Sequence, residues 1–147
     1  MAETFIVGVD GSETAARAAR RAARFAAALD ATLHVVCAYG KLEVERRRVG
    51  SEEFFFSNES SALRIAEDAV RELRAEYPGL RAEPHTQEGK AADALVTYAI
   101  RRDADLIVVG NKRVQGLGRL LGSIAEDVTQ KAPCDVYVAH THLRRSA

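Results

Sequence analysis

Between Gly110 and Ser123 the chain reads Gly-Asn-Lys-Arg-Val-Gln-Gly-Leu-Gly-Arg-Leu-Leu-Gly-Ser, joining an apolar run to a helical pattern. Glycines let backbone amides approach an oxyanion closely, and the first turn of a helix offers N–H groups that carry partial positive charge. Lys112, Arg113 and Arg119 add mobile positive charge, so Gly110, Asn111, Lys112, Arg113, Gly116, Gly122 and Ser123 are candidates for holding a phosphate. The stretch is no Walker A loop, because Gly-Lys-Ser/Thr is absent, and Gly116-Leu117-Gly118 lacks the third glycine of a dinucleotide fingerprint. An ordinary P-loop NTPase and a Rossmann dehydrogenase are therefore disfavoured. Ser123-Ile124-Ala125-Glu126 also fits a capping box, so Gly122-Ser123 could do no more than start the last helix. The residues alone leave both roles open.

Asp10 is the other group with chemical potential. It stands before Gly11-Ser12 at a strand-to-helix turn, where an aspartate either satisfies backbone donors or faces a ligand. His140-Thr141-His142 reads as a surface strand end, since two histidines without another ligand type nearby make a poor metal site. Cys37 and Cys134 lie in separate apolar stretches and read as small buried hydrophobes, which disfavours a zinc site or a disulfide framework.

The elements that must position these groups alternate along the chain. Phe5 to Val9 is a strand, Asp10-Gly11-Ser12 a turn, and the alanine-rich segment to Leu29 a helix. Its buried face is expected to hold Ala15, Ala18, Ala19, Ala22, Phe25, Ala26 and Leu29. Arg17, Arg20, Arg21 and Arg24 form the opposite, solvated stripe; without interleaved aromatics it makes a poor RNA surface. Thr32 to Ala38 is a strand apolar on both faces, as in a parallel sheet. From Tyr39 to Asn58 periodicity is lost, with Arg46-Arg47-Arg48 and Phe54-Phe55-Phe56 inside. The phenylalanines either cover a ligand or a second subunit or, as the better reading, tuck onto their own core.

Leu63, Ala66, Ala69, Val70 and Leu73 predict a second helix, stopped at Tyr77-Pro78-Gly79. The more polar strand from Arg81 to Gln87 suits an edge, where Pro84 costs no ladder bond. Ala92, Leu95, Val96, Ala99 and Ile100 predict a third helix, Leu106 to Val109 a buried strand, and Ile124, Val128 and Ala132 the inward side of a last helix. Asp135 to His140 is a fifth strand with a partly exposed face or edge. The expected fold is α/β: an open, five-stranded, mainly parallel sheet with helices on both faces. Such sheets take ligands at the carboxyl ends of the strands, here at Asp10-Gly11 and Gly110.

With 147 residues and 47% hydrophobic content the chain can build one core, and it is read as a single domain over 1–147. Its 21 basic and 21 acidic residues cancel, so no whole-molecule field draws it to nucleic acid or to a membrane. The opening MAETFIVGVDGS lacks an export signal and no run reaches the length of a membrane span, so a cytoplasmic location is expected.

Val7-Gly8-Val9-Asp10-Gly11-Ser12, Val35-Val36-Cys37-Ala38, Val108-Val109-Gly110-Asn111, Gly122-Ser123-Ile124 and Ala132-Pro133-Cys134-Asp135-Val136 together resemble the universal stress protein family over nearly the whole chain. The resemblance implies a Rossmann-like sandwich of the adenine nucleotide α hydrolase type that binds ATP or another adenine nucleotide. It implies that Gly8, Val9 and Asp10 border adenine and ribose and that Ala38 lies against adenine. Val109 and Gly110 would back the ribose, and Gly122, Ser123, Ile124 and Ala125 would receive phosphates. Family members that bind ATP show Gly, two residues, Gly, nine residues, Gly and Ser or Thr. Here Arg113 replaces the second glycine, and only eight residues separate it from Gly122. Gly116 and Gly118 could restore flexibility, or the shortened loop could suit AMP, ADP or cyclic AMP better. The resemblance also implies a homodimer through the last strand, near Val136 and Val138.

Three functions compete on these residues. The favoured one is a nucleotide-binding module in stress response or signalling, read by a protein partner of unknown identity. A slow ATP hydrolase is the second, with Asp10 able to hold Mg2+ through water; against it, the glycine-rich stretch contains no carboxylate or histidine to orient an attacking water. The third is an interaction adaptor that has lost nucleotide.

Overall fold

The computed structural model describes residues 2–40, 58–111 and 121–141. Five strands, β1 (Thr4–Gly8), β2 (Thr32–Tyr39), β3 (Arg81–Glu88), β4 (Leu106–Asn111) and β5 (Asp135–His140), alternate with helices α1 (Glu13–Leu29), α2 (Glu59–Glu76), α3 (Ala91–Arg102) and α4 (Ser123–Lys131). Every adjacent strand pair is parallel and the sheet order is β3-β2-β1-β4-β5. The expected open sheet with helices on both faces is what forms, and the polar, Pro84-bearing β3 lies at an edge.

Strand alternation divides the core into two layers. Phe5, Val7, Leu33, Val35, Cys37 and Val108 pack with the small residues of α1 and α2, among them Ala18, Ala22, Ala62 and Ala66. Ile6, Val36, Ile107 and Val109 pack on the other face with Leu95, Tyr98 and Ala99 of α3 and Ala125 and Val128 of α4. Alanine dominates α1 because its axis lies close to the strands, and Ala18, Ala19, Ala22, Ala23 and Ala26 are all buried.

Four apolar residues expected inside point outward. Leu29 is 61% exposed and Ile100 62%, and Leu63 and Ile124 are exposed as well. In the last turn of α1 the inward place belongs to Ala26, which is buried in the core, and Leu29 is left exposed. In α3 the inward position belongs to Tyr98, which reaches over β2, and Ile100 is rotated away. In α2 and α4 the smaller neighbours Ala62 and Ala125 take the inward places.

The arginine stripe of α1 is also more engaged than a solvated face. Arg17 Nη1 donates to the Thr141 carbonyl at 3.2 Å and Arg21 Nη1 to Tyr137 Oη at 3.1 Å. Phe25 meets the Tyr137 ring edge-on with centroids 4.7 Å apart. These contacts tie α1 to β5 and to the residue that follows it. Cys37 is buried as expected, whereas Cys134 is half-buried, and both are free thiols.

Candidate functional site

In the order β3-β2-β1-β4-β5 the chain moves to opposite sides of β1 after its first and third strands, so the crevice between the carboxyl ends of β1 and β4 is the topological switch point. Both strands singled out from the sequence end there. On the β1 side, Val9 N–H donates to Val36 O at 2.9 Å, which carries the sheet pairing one residue beyond Gly8. Gly8 itself lies close under α3, since a Cβ there would come within 3.0 Å of Leu95 Cδ1. Asp10 is exposed, and its Oδ1 accepts from Ser12 N–H at 2.9 Å. Gly11 supplies the positive φ of 87° that turns the chain, and Ser12 Oγ caps α1 by accepting from Ala15 N–H at 3.1 Å. The turn role of Asp10 is thus present, with Ser12 rather than Asp10 as the cap.

On the β4 side the strand continues through Gly110 and Asn111. A Cβ at Gly110 would sit 2.8 Å from Thr141 Cγ2 and 3.5 Å from Ala18 Cβ, so glycine is required here by the contact with α1 and the end of β5. Thr141 is 3% exposed and its Oγ1 has no hydrogen-bond partner among the described residues, while Arg17 holds its carbonyl. Asn111 is buried, and its Oδ1 accepts from Gly122 N–H at 2.8 Å. That bond joins the end of β4 to the start of α4 across the intervening glycine-rich residues.

Gly122 is the N-cap of α4, in extended conformation, and no side chain among the described residues caps the helix. The capping-box reading is corrected: Ser123 is the first helical residue, one position too late for its hydroxyl to serve as the cap of a Ser-x-x-Glu box. Glu126 N–H closes the first turn on Gly122 O at 2.9 Å. The amides of the first turn, at Ser123, Ile124 and Ala125, therefore lack a capping acceptor from the N-cap side chain. Ser123 and Ile124 are exposed and Ala125 is buried.

Val109 is buried on the α3 and α4 face, and Ala38 is half-buried near the end of β2, paired with Gln87. Beside Ala38, burial and the charge of Asp10 push the Cys37 thiol up to about 12, so it is an inert wall of this end of the sheet. Lys112, Arg113, Gly116, Gly118 and Arg119 lie outside the described residues, as do Arg46-Arg47-Arg48 and Phe54-Phe55-Phe56. Asn58, at the end of the aperiodic stretch, caps α2 through Oδ1, which accepts from Ser61 N–H at 2.8 Å.

Sequence reasoning missed a second gathering of reactive side chains, His34 with Glu83 and His85. The signal was the Glu-x-His spacing on an edge strand, which puts both side chains on one face. The pairing of that strand with β2 was not readable from spacing alone.

The family model described as the universal stress protein family matches residues 1–140. The chain belongs to that family. A universal stress protein of Mycobacterium tuberculosis is 36% identical over 144 residues, covering 95% of this chain and 97% of its own. Among solved structures, a universal stress protein in complex with cAMP is similar at 33% identity with a TM-score of 0.69, covering 96% of this chain and 98% of the other. The universal stress protein from Archaeoglobus fulgidus in complex with dAMP is 26% identical with a TM-score of 0.67, covering 92% and 96%. Two universal stress proteins of this fold thus bind adenine mononucleotides. Among the described residues of this family member, no helix is long and apolar enough to cross a membrane.

Proposed function

We propose that this chain binds an adenine nucleotide in the crevice between β1 and β4, a monophosphate such as AMP or cyclic AMP in preference to ATP, and serves a stress or signalling role. The observation that carries the reading is the start of α4, which no side chain among the described residues caps and which is tied to the end of β4 by the Asn111 to Gly122 hydrogen bond. A helix start so held at a switch point turns its first-turn amides, which no side chain among the described residues caps, and their partial positive charge toward an anion. The cAMP and dAMP complexes of similar proteins supply the ligand class. The shortening between Arg113 and Gly122 favours fewer phosphates.

In this reading Gly8, Val9, Asp10 and Ala38 border the base and ribose, Val109 and Gly110 back the ribose, and Gly122, Ser123, Ile124 and Ala125 receive phosphate. Asn111 is a positioning residue, with Lys112, Arg113 and Gly116 on the connecting loop. Occupancy would then be read by a protein partner. Mass spectrometry of the nucleotide released on denaturing the purified protein, followed by titration of the emptied protein with ATP, AMP and cyclic AMP, tests this. A released adenine nucleotide and tighter binding of a monophosphate than of ATP are expected. No release and no binding of any of the three would leave the adaptor function, and turnover of ATP faster than about 1 per second would make the protein a hydrolase.

A further inference from the structure

On the sheet face covered by α3, away from the crevice, strand pairing gathers three ligand-type side chains. His34 in β2 stands in register with Glu83 in β3, and His85 follows two residues later, so all three project to the same face. Their ligand atoms lie within 4.8 Å of one another. His34 is 7% exposed, and its Nδ1 lies 2.7 Å from the hydroxyl of Tyr98, a residue only 2% exposed. His85 Nε2 and Glu83 Oε1 are 3.0 Å apart, a hydrogen bond in which the ring N–H donates to the carboxylate. Ala38 is four residues further along β2 than His34, about 13 Å at the rise of a strand, so the cluster is separate from the proposed nucleotide site.

We propose that His34, Glu83 and His85 bind a divalent transition-metal ion, with Zn2+ the best match. Two imidazoles and one carboxylate form a mixed nitrogen and oxygen donor set that suits zinc, whereas Mg2+ and Ca2+ prefer oxygen alone. Tyr98 is the positioning residue. With His34 Nδ1–H donating to the Tyr98 hydroxyl, the lone pair of His34 Nε2 is left for a metal, the outer-shell arrangement that orients most histidine ligands. The ion would take the place of the proton that His85 Nε2 donates to Glu83, with the neutral His85 ring carrying that proton on Nδ1 instead.

One movement is required. The His34 and His85 rings are stacked with centroids 4.8 Å apart and planes 13° from parallel, whereas a shared ion must lie near both ring planes. His34 is pinned by Tyr98, so His85, with 22% of its side chain exposed on the edge strand, is the ring that turns. The donor atoms would close to about 3.3 Å, the spacing set by ~2.0 Å bonds at tetrahedral angles. Arg102, whose guanidinium carbon lies 5.5 Å from the centre of the Tyr98 ring, opposes the ion, and the Glu83 carboxylate offsets it. Burial favours the neutral form of His34, the form that ligates.

Calorimetric titration of the metal-free full chain with Zn2+ alone tests the site, with Co2+ as a spectroscopic substitute. One ion per chain is expected. Binding should weaken at least about tenfold in His85→Gln and in Glu83→Gln, both exposed enough to keep the fold, as circular dichroism would verify. It should be unchanged when His140 and His142 are both replaced by Gln. Absence of binding, binding that survives His85→Gln and Glu83→Gln, or binding lost in the His140 and His142 variant would each overturn the proposal.

Discussion

At the scale of single residues, the crevice depends on close approach more than on reactive groups. Gly110 shows this most directly, because a methyl group there would meet the β-branched Thr141 at 2.8 Å, with Ala18 behind it. Gly110→Ala should destabilise the chain by about 1–3 kcal/mol, the usual cost of overpacking, and a lowered urea midpoint at constant slope would show it. Loss of less than ~0.5 kcal/mol would mean that the end of β5 yields freely. Glycine content marked Gly110 in the sequence, but it could not show that the demand comes from Thr141, which is distant along the chain. Asp10 was likewise readable as a turn residue, and its bond to Ser12 N–H bears that out. The Asn111 bond to Gly122 was not readable, because it depends on how α4 returns to β4.

At the scale of elements, hydrophobic patterns located four of the strands and the four described helices, since buried strands and amphipathic helices carry strong local patterns, while the polar β3 was placed by the Tyr77-Pro78-Gly79 stop before it. It misjudged the rim of the helix faces, where Leu29 and Ile100 look apolar enough to be inside yet are exposed, the inward places being taken by Ala26 and Tyr98. The β2 to β3 pairing adds an element-level property. Burial lowers the pKa of His34 below its ordinary 6.5, and its neighbours are Glu83 and His85 from β3, Tyr98 and Arg102 from α3, and the apolar Ile6 from β1. Glu83 favours the charged ring, while His85 and Arg102 oppose it. Below pH 6.5 the unfolded chain therefore binds the proton more readily than the folded one, so stability is complete above that pH and declines as pH falls toward the folded value. Thermal midpoints measured in chelator from about pH 7.5 to about pH 5.5 should drop, and the profile should flatten in His34→Gln. An identical slope in that variant would assign the effect elsewhere. Glu83 is held below the usual carboxylate range chiefly by its hydrogen bond with His85, and its own contribution is lost only at lower pH.

At the scale of the whole molecule, β5 forms the edge of the sheet opposite β3, with Val136, Tyr137 and Val138 half-buried. An apolar edge of this kind is commonly covered by a second copy about a two-fold axis. We expect the purified chain to sediment as a dimer and Val138→Lys to shift it to monomer; a monomeric wild-type protein at the same concentration would contradict this. The balanced charge of the whole molecule leaves anion binding to local geometry, and the α4 start is where that geometry is concentrated. The decisive measurement is a calorimetric titration of emptied wild-type protein and of Gly122→Val with cyclic AMP and AMP. Saturable binding to the wild type that is lost in Gly122→Val is the predicted result, and equal binding to both proteins would contradict a phosphate held at the start of α4.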